Sequence, residues 1–168
     1  MKKILSAILI LLAIAANAQI KIELTPTGFP VINIAKPQKP IEKLMANAKA
    51  WPILFNRNNE YGHDIYDVTE NSLSIDAYRE NAFYYRNRGE EYQHRIRYTI
   101  KVEFGDDIYS LTFLVKEIYY GNSLTKLSVA DFFAPDGRLK EDYEEVKPSL
   151  EYSANSIVNS FAQYLTRD

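Results

Sequence analysis

The chain is 168 residues long and nearly balanced in charge, with 20 Lys and Arg against 22 Asp and Glu and a formal net charge of −2. That balance gives no general electrostatic pull toward nucleic acid or anionic lipid. The lack of cysteine excludes a disulfide framework, thiol chemistry and acylation at a thiol, so packing alone must hold the core.

Lys2 and Lys3 precede Ile4–Ala16, a stretch apolar apart from Ser6, and Ala16-Asn17-Ala18 follows with small residues two apart. This is the layout of a secretory signal peptide over residues 1–18, cleaved after Ala18. The apolar stretch is shorter than the roughly 20 residues that a membrane span needs. The expected product is exported, periplasmic or secreted, and not a lipoprotein, with membrane contact only through the signal peptide before cleavage. Loss of Lys2 and Lys3 moves its formal net charge to −4.

Residues 19–39 contain Pro26, Pro30 and Pro37 around the short runs Ile20–Leu24 and Val31–Ile34. Prolines at this spacing forbid a helix, so an extended leading segment is expected, with one run serving as an edge strand. Residues 40–168 are expected to form a single α+β domain.

Pro40 is suited to a first helical position, where its missing N–H costs nothing. Ile41, Leu44, Met45 and Ala48 then recur at helical spacing, and Trp51-Pro52 is expected to end or kink the helix. Asn56–His63 is polar and Gly-containing and predicts a loop. Asp64–Thr69 predicts a short strand, and Leu73, Ile75 and Ala77 alternate with polar partners as in a half-buried strand. The clearest pattern is Ile96, Tyr98, Ile100, Val102 and Phe104 in alternation, then Gly105-Asp106-Asp107, then Tyr109, Leu111, Phe113 and Val115.

If Asp106-Asp107 make a two-residue turn, Phe104 faces Tyr109, Val102 faces Leu111, Ile100 faces Phe113 and Tyr98 faces Val115. All the apolar residues then share one face, which a one-residue slip would destroy. A longer loop using Gly105 is the alternative, since two-residue turns prefer Asn-Gly or Asp-Gly. Gly121–Gly137 is a connector with a turn at Pro135-Asp136-Gly137. From Leu139 to Leu165 a helical period runs on, interrupted by Pro148, which either kinks one helix or opens a second. The predicted fold class is α+β: an antiparallel sheet of about four to five strands with two helices packed on one face.

The helix Ile41–Trp51, ending Ala48-Lys49-Ala50-Trp51, and the hairpin Tyr98-Thr-Ile-Lys-Val-Glu-Phe-Gly-Asp-Asp-Ile-Tyr109 carry a resemblance. With the export signal, they resemble a family of exported bacterial proteins, a domain of unknown function with a TATA-binding-protein-like (TBP-like) fold. The resemblance implies that fold and brings no activity. A likeness of fold to a DNA-binding protein does not imply DNA binding.

Two basic-aromatic stretches, Tyr84–Arg88 and Tyr92–Tyr98, combine side chains that stack on rings and fork onto anions. The derived register places Arg95, Arg97, Lys101 and Lys116 on the face opposite the core, with Arg97 directly across from Lys116. Like charges so placed repel, so an acidic group is expected over them. Together with Tyr84 and Arg86 they are the candidate binding residues, against the competing reading of an ordinary solvated sheet face. His94 falls opposite Tyr119, and two histidines are too few for a His-rich metal centre. Asp106-Asp107 is a turn, and Asp131, Asp136 and Asp142 lack calcium-loop spacing. Glu141, Asp142, Glu144 and Glu145 suit the first turns of the last helix. No nucleophile elbow, phosphate loop, dinucleotide fingerprint or HExxH helix occurs. No catalytic residue, cofactor or metal is therefore assigned. The function expected is that of an envelope protein that binds a protein or glycan, or plays a structural role, with a hydrolase acting on envelope material as the alternative.

Overall fold

The computed structural model describes residues 19–167; the signal peptide read at residues 1–18 lies outside them. Six strands form one antiparallel sheet: β1 Ile32–Ala35, β2 His63–Tyr66, β3 Ser72–Asn87, β4 Glu90–Phe104, β5 Ile108–Tyr120 and β6 Ser123–Leu124. Their order is β1-β5-β4-β3-β2, with β6 pairing β5. Among the described residues two α-helices, α1 Ile41–Phe55 and α2 Val146–Leu165, complete the α+β fold. The sheet has one strand more than the largest number expected, because β6 is only two residues long.

The β4–β5 hairpin has the derived register, with Phe104 opposite Tyr109, Val102 opposite Leu111, Ile100 opposite Phe113 and Tyr98 opposite Val115. Asp106-Asp107 form the turn, closed by the Gly105 N–H on the Ile108 carbonyl at 2.8 Å. Beyond Tyr98 the register shifts: Arg97 lies opposite Glu117 and His94 opposite Tyr120. Lys116 is the extra residue of a β-bulge. Arg97 therefore faces a carboxylate and not Lys116, which corrects the like-charge pair read from unbroken alternation.

The β3–β4 hairpin is longer than the sequence pattern announces. It closes on Arg88-Gly89, both left-handed (φ 51° and 83°), the geometry of the tight turn that suits the strand twist. The core face carries Leu73, Ile75, Ile96, Tyr98, Ile100, Val102, Leu111 and Phe113 against Leu44, Ala48 and Trp51 of α1 and Leu150, Ala154, Ile157 and Phe161 of α2, all buried. Pro52 neither ends nor breaks α1, which continues to Phe55. Trp51 anchors that turn, its indole N–H reaching Ser160 at 3.1 Å while its ring stacks on Phe55. Pro148 sits in the first turn of α2, where it displaces no ladder bond; Glu141–Tyr143 form a separate 3-10 turn ahead of it.

Of the two short runs in the leading segment, only the second becomes a strand, β1. The first, Ile20–Leu24, lies along α2. Asn159 accepts from the Ile20 N–H at 2.9 Å and donates to its carbonyl at 2.7 Å; Asn155 does the same for Ile22 at 2.8 and 2.9 Å. Glu151 accepts from the Leu24 N–H at 2.7 Å. Residues 151, 155 and 159 are four apart and share one helix face, so their side chains supply the bonds a neighbouring strand would give. Ile22 and Leu24 are thereby buried in the core.

Candidate functional site

The face of the sheet opposite the helices is crossed by a chain of charge-assisted hydrogen bonds. Asp76 on β3 accepts from Tyr66 of β2 at 2.9 Å, Thr99 of β4 at 2.5 Å and Arg97 of β4 at 2.8 Å. Arg97 also reaches Glu117 of β5 at 3.2 Å, and Glu117 accepts from Tyr119 at 2.5 Å. Asp76 is almost fully buried, and three donors compensate its lost hydration. Glu117 holds the Tyr119 phenol up to about 12, chiefly through their hydrogen bond.

Arg95 lies in the same face but is enclosed, with 7% of its surface exposed. Its guanidinium stands 3.7 Å from the Tyr61 ring centroid, 4.6 Å from that of Tyr119 and 5.9 Å from that of Tyr78, with Glu80 at 3.5 Å. Tyr61 arrives there because β2 covers only Ser74–Ala77 of β3. Past that point the loop from α1 crosses the open edge, where the Asn59 amide caps the Tyr78 carbonyl at 2.7 Å. The Tyr61 hydroxyl then reaches Asn122 at 3.2 Å. The face is walled by tyrosines and the charges of Arg95 and Arg97 are paired within it, although the Arg95 Nε is buried without a hydrogen-bond partner.

The six residues singled out from the sequence do not form one patch. Arg95 is sealed under tyrosines and Arg97 is held between two carboxylates. Lys101 and Lys116 are exposed. Arg86, over the Tyr84 ring at 5.4 Å, pairs with Glu91 at 3.2 Å and Glu145 at 2.5 Å. Arg86 is registered with Glu91, ten residues along β4 from Lys101, a separation of about 33 Å at the usual strand rise.

A second arrangement, which sequence reasoning missed, lies where α2 crosses the edge of β3. The β3–β4 register breaks between Arg79 and Phe83, with Asn81 left-handed at φ 48°, a conformation asparagine tolerates. There α2 replaces the missing strand: Ser153 donates to the Ala82 carbonyl at 2.7 Å, and Ser149 accepts from the Tyr84 N–H at 3.4 Å. The bulge and helix border an open cleft of about 460 Å³ lined by Arg79, Asn81, Tyr84, Ser149, Tyr152 and Ser153 together with Pro148. Among the described residues no carboxylate lines it. The neighbouring acids are committed elsewhere: Glu80 to Arg95, Glu145 to Arg86 and Glu151 to Leu24. Arg79 is half-buried, its Nε is buried without a hydrogen-bond partner, and it forms no ion pair among the described residues. The available signal was an arginine in the apolar phase of β3, set in Arg79-Glu80-Asn81 between apolar Ala77 and Phe83.

His94 belongs to a different environment. It stacks on Phe83 at 4.8 Å, with Tyr85 and Tyr120 beside it, and its Nδ1 lies 3.0 Å from the Tyr92 carbonyl. Burial pulls its pKa below the usual value. His63 is exposed at the start of β2. Among the described residues no three His, Asp or Glu side chains gather as a metal centre would require, and no helix is long and apolar enough to cross a membrane.

No family model matches the chain, and no curated protein matches it. Among solved structures it is similar to a DUF4468 family protein from Bacteroides ovatus, with a TM-score of 0.56 and 9% identity over 83% of this chain and 86% of the other. It is also similar to a TBP-like protein from Parabacteroides distasonis, with a TM-score of 0.50 and 12% identity over 80% of this chain and 88% of the other. At such identities the likeness shows the fold: a TBP-like α+β architecture, also found in a bacterial protein from a family of unknown function.

Proposed function

We propose that the chain is an exported envelope protein that serves as a non-catalytic binding module, and that its ligand is received in the cleft between the β3 bulge and α2. Arg79 is the observation that supports the cleft. A half-buried guanidinium loses hydration, and a folded protein ordinarily compensates that loss with a carboxylate or several acceptors. Here the surrounding acids are engaged with other partners, and the cleft lies within the roughly 300–1,000 Å³ typical of small-molecule sites. Export is supported by the n-region, apolar stretch and Ala16-Asn17-Ala18 site of the sequence.

Two measurements test the two halves of this reading. Fractionation with N-terminal sequencing should give a product that starts at Gln19 outside the cytoplasm; a cytoplasmic chain that retains Met1 would overturn export. A fragment screen by protein-observed NMR should give hits that cluster on Arg79, Asn81 and Tyr152. Hits confined to Lys101, Thr112 and Leu114 would move the site to the open sheet face.

A further inference from the structure

Taking the cleft as the ligand site, we infer that the group it receives is a single carboxylate carried on a sugar ring, a uronic-acid class of ligand. The charge comes first. Among the described residues that line the cleft, Arg79 is the one cation and none is acidic; Arg86, over the Tyr84 ring, is already paired with Glu91 and Glu145. A planar guanidinium fork matches one carboxylate with two parallel hydrogen bonds. Phosphoryl and sulfuryl groups, with three oxygens each, are usually met by clustered cations, and the Arg79 cleft supplies one.

The remaining walls describe what carries the carboxylate. Tyr152 projects from α2 with 75% of its surface exposed, a flat apolar ring with a hydroxyl at its tip and no partner for it among the described residues. Tyr84 stands across the cleft, half-buried. Asn81 lines the same space, and its side-chain amide is unengaged among the described residues; it can donate and accept at once. Aromatic faces suit the C–H faces of a pyranose, and an amide and phenols suit its hydroxyl edges. An aliphatic acid would leave these donors and acceptors unused. Ser149 and Ser153 play no direct part, because their hydroxyls already donate to the Val146 and Glu145 carbonyls and to the Ala82 carbonyl. Their role is to hold α2 against the bulge and so fix the width of the cleft.

The test is an NMR titration of the isotope-labelled protein with four probes: D-glucuronate, D-glucose, acetate and glucose 6-phosphate. Glucuronate should shift the Arg79 Nε–H, the Asn81 side-chain amide and the Tyr152 backbone, with each other probe about tenfold or more weaker, as expected for loss of one charged or several neutral hydrogen bonds. Arg79→Met should weaken glucuronate about tenfold or more and leave any residual glucose binding alone. Should Arg79→Met fail to fold, Tyr152→Ala at an exposed helix position should fold normally and lose affinity for the sugar acid while acetate is unaffected. Glucose or acetate equal to glucuronate at these resonances would overturn the ligand class and leave the cleft standing. A preference for glucose 6-phosphate would replace the carboxylate by a phosphoryl group. No shift in the cleft with any probe, or binding unmoved by Arg79→Met and Tyr152→Ala, would overturn the cleft itself.

Discussion

The Arg95 guanidinium lies over the Tyr61 ring, its Cζ 3.7 Å from the centroid, and this contact ties the loop after α1 to the open face of the sheet. A desolvated cation–π contact contributes about 2 kcal/mol. Arg95→Met should lower stability by about 2 kcal/mol, and Arg95→Lys by less, since an ammonium stacks less well than a guanidinium. Chemical denaturation reads the loss. Hydrogen exchange in Tyr61→Ala should accelerate over residues 56–62 and leave β4 protected; unchanged exchange there would mean that Asn59 alone holds the loop.

Asp76 joins three strands through Tyr66, Thr99 and Arg97. Asp76→Asn keeps the shape but weakens three charge-assisted bonds. Breaking a buried pair costs more, but Arg97 is one-third exposed and keeps Glu117, so the expected loss is about 2 kcal/mol. A double-mutant cycle with Arg97→Met should give a coupling of about 1–2 kcal/mol. Additive single losses would show that solvent already compensates Arg97.

Tyr98 and Tyr109 are both pushed above the ordinary phenol value of 10 by burial. Their protons are held more tightly in the folded state than in the unfolded chain. The stability they contribute is complete below about pH 10 and is lost as pH rises from there toward the folded-state values. The Tyr98 hydroxyl is buried without a full hydrogen-bond partner, against Asn56. Tyr98→Phe should therefore cost no more than about 1 kcal/mol at neutral pH, or stabilise, and should flatten the alkaline loss. A large loss at neutral pH would show that the hydroxyl is satisfied in solution.

His94 shifts the opposite way. Burial lowers its pKa below 6.5, so the unfolded chain takes up the proton first. Its contribution is present above pH 6.5 and is lost as pH falls through the folded-state value. His94→Phe, which keeps the stack on Phe83, should reduce the fall in stability between about pH 6.5 and pH 5. An unchanged slope would assign the acid sensitivity to the carboxylates.

Asn155 and Asn159 each hold both polar groups of one residue in the leading segment. Asn155→Ala and Asn159→Ala should each cost about 1 kcal/mol, with Asn155→Ala the larger, because a partly buried N–H and carbonyl lose their partners and Ile22 is the more buried of the two residues held. Amides 20–24 should exchange faster in both, with β1 unaffected. Loss of protection in β1 as well would mean that the whole segment docks as one unit.

Local alternation made the register of the Tyr98–Tyr109 hairpin legible, since a slip would have moved every apolar residue to the wrong face. The same reasoning gave α1 from Leu44, Met45 and Ala48, gave Pro148 two candidate places, and gave the α+β class. It failed at Lys116, where one extra residue turned an expected repulsion between Arg97 and Lys116 into an Arg97–Glu117 pair. An acidic group over Arg95 and Arg97 is expected from their crowding, but nothing in β4 announces which residues, Tyr61, Asp76 and Glu117, arrive from other elements.

Which side of each strand is apolar follows from the order of residues alone, because period-two alternation is a local property carried by consecutive residues. Tertiary structure alone decided what meets the polar side. It left the outer edge of β3 without a strand beyond Ala77, brought α2 in to cap that edge, and committed Glu80, Glu145 and Glu151 elsewhere while Arg79 kept no carboxylate among the described residues. Such pairings depend on distances between elements far apart in the chain, and no periodicity within one element encodes them.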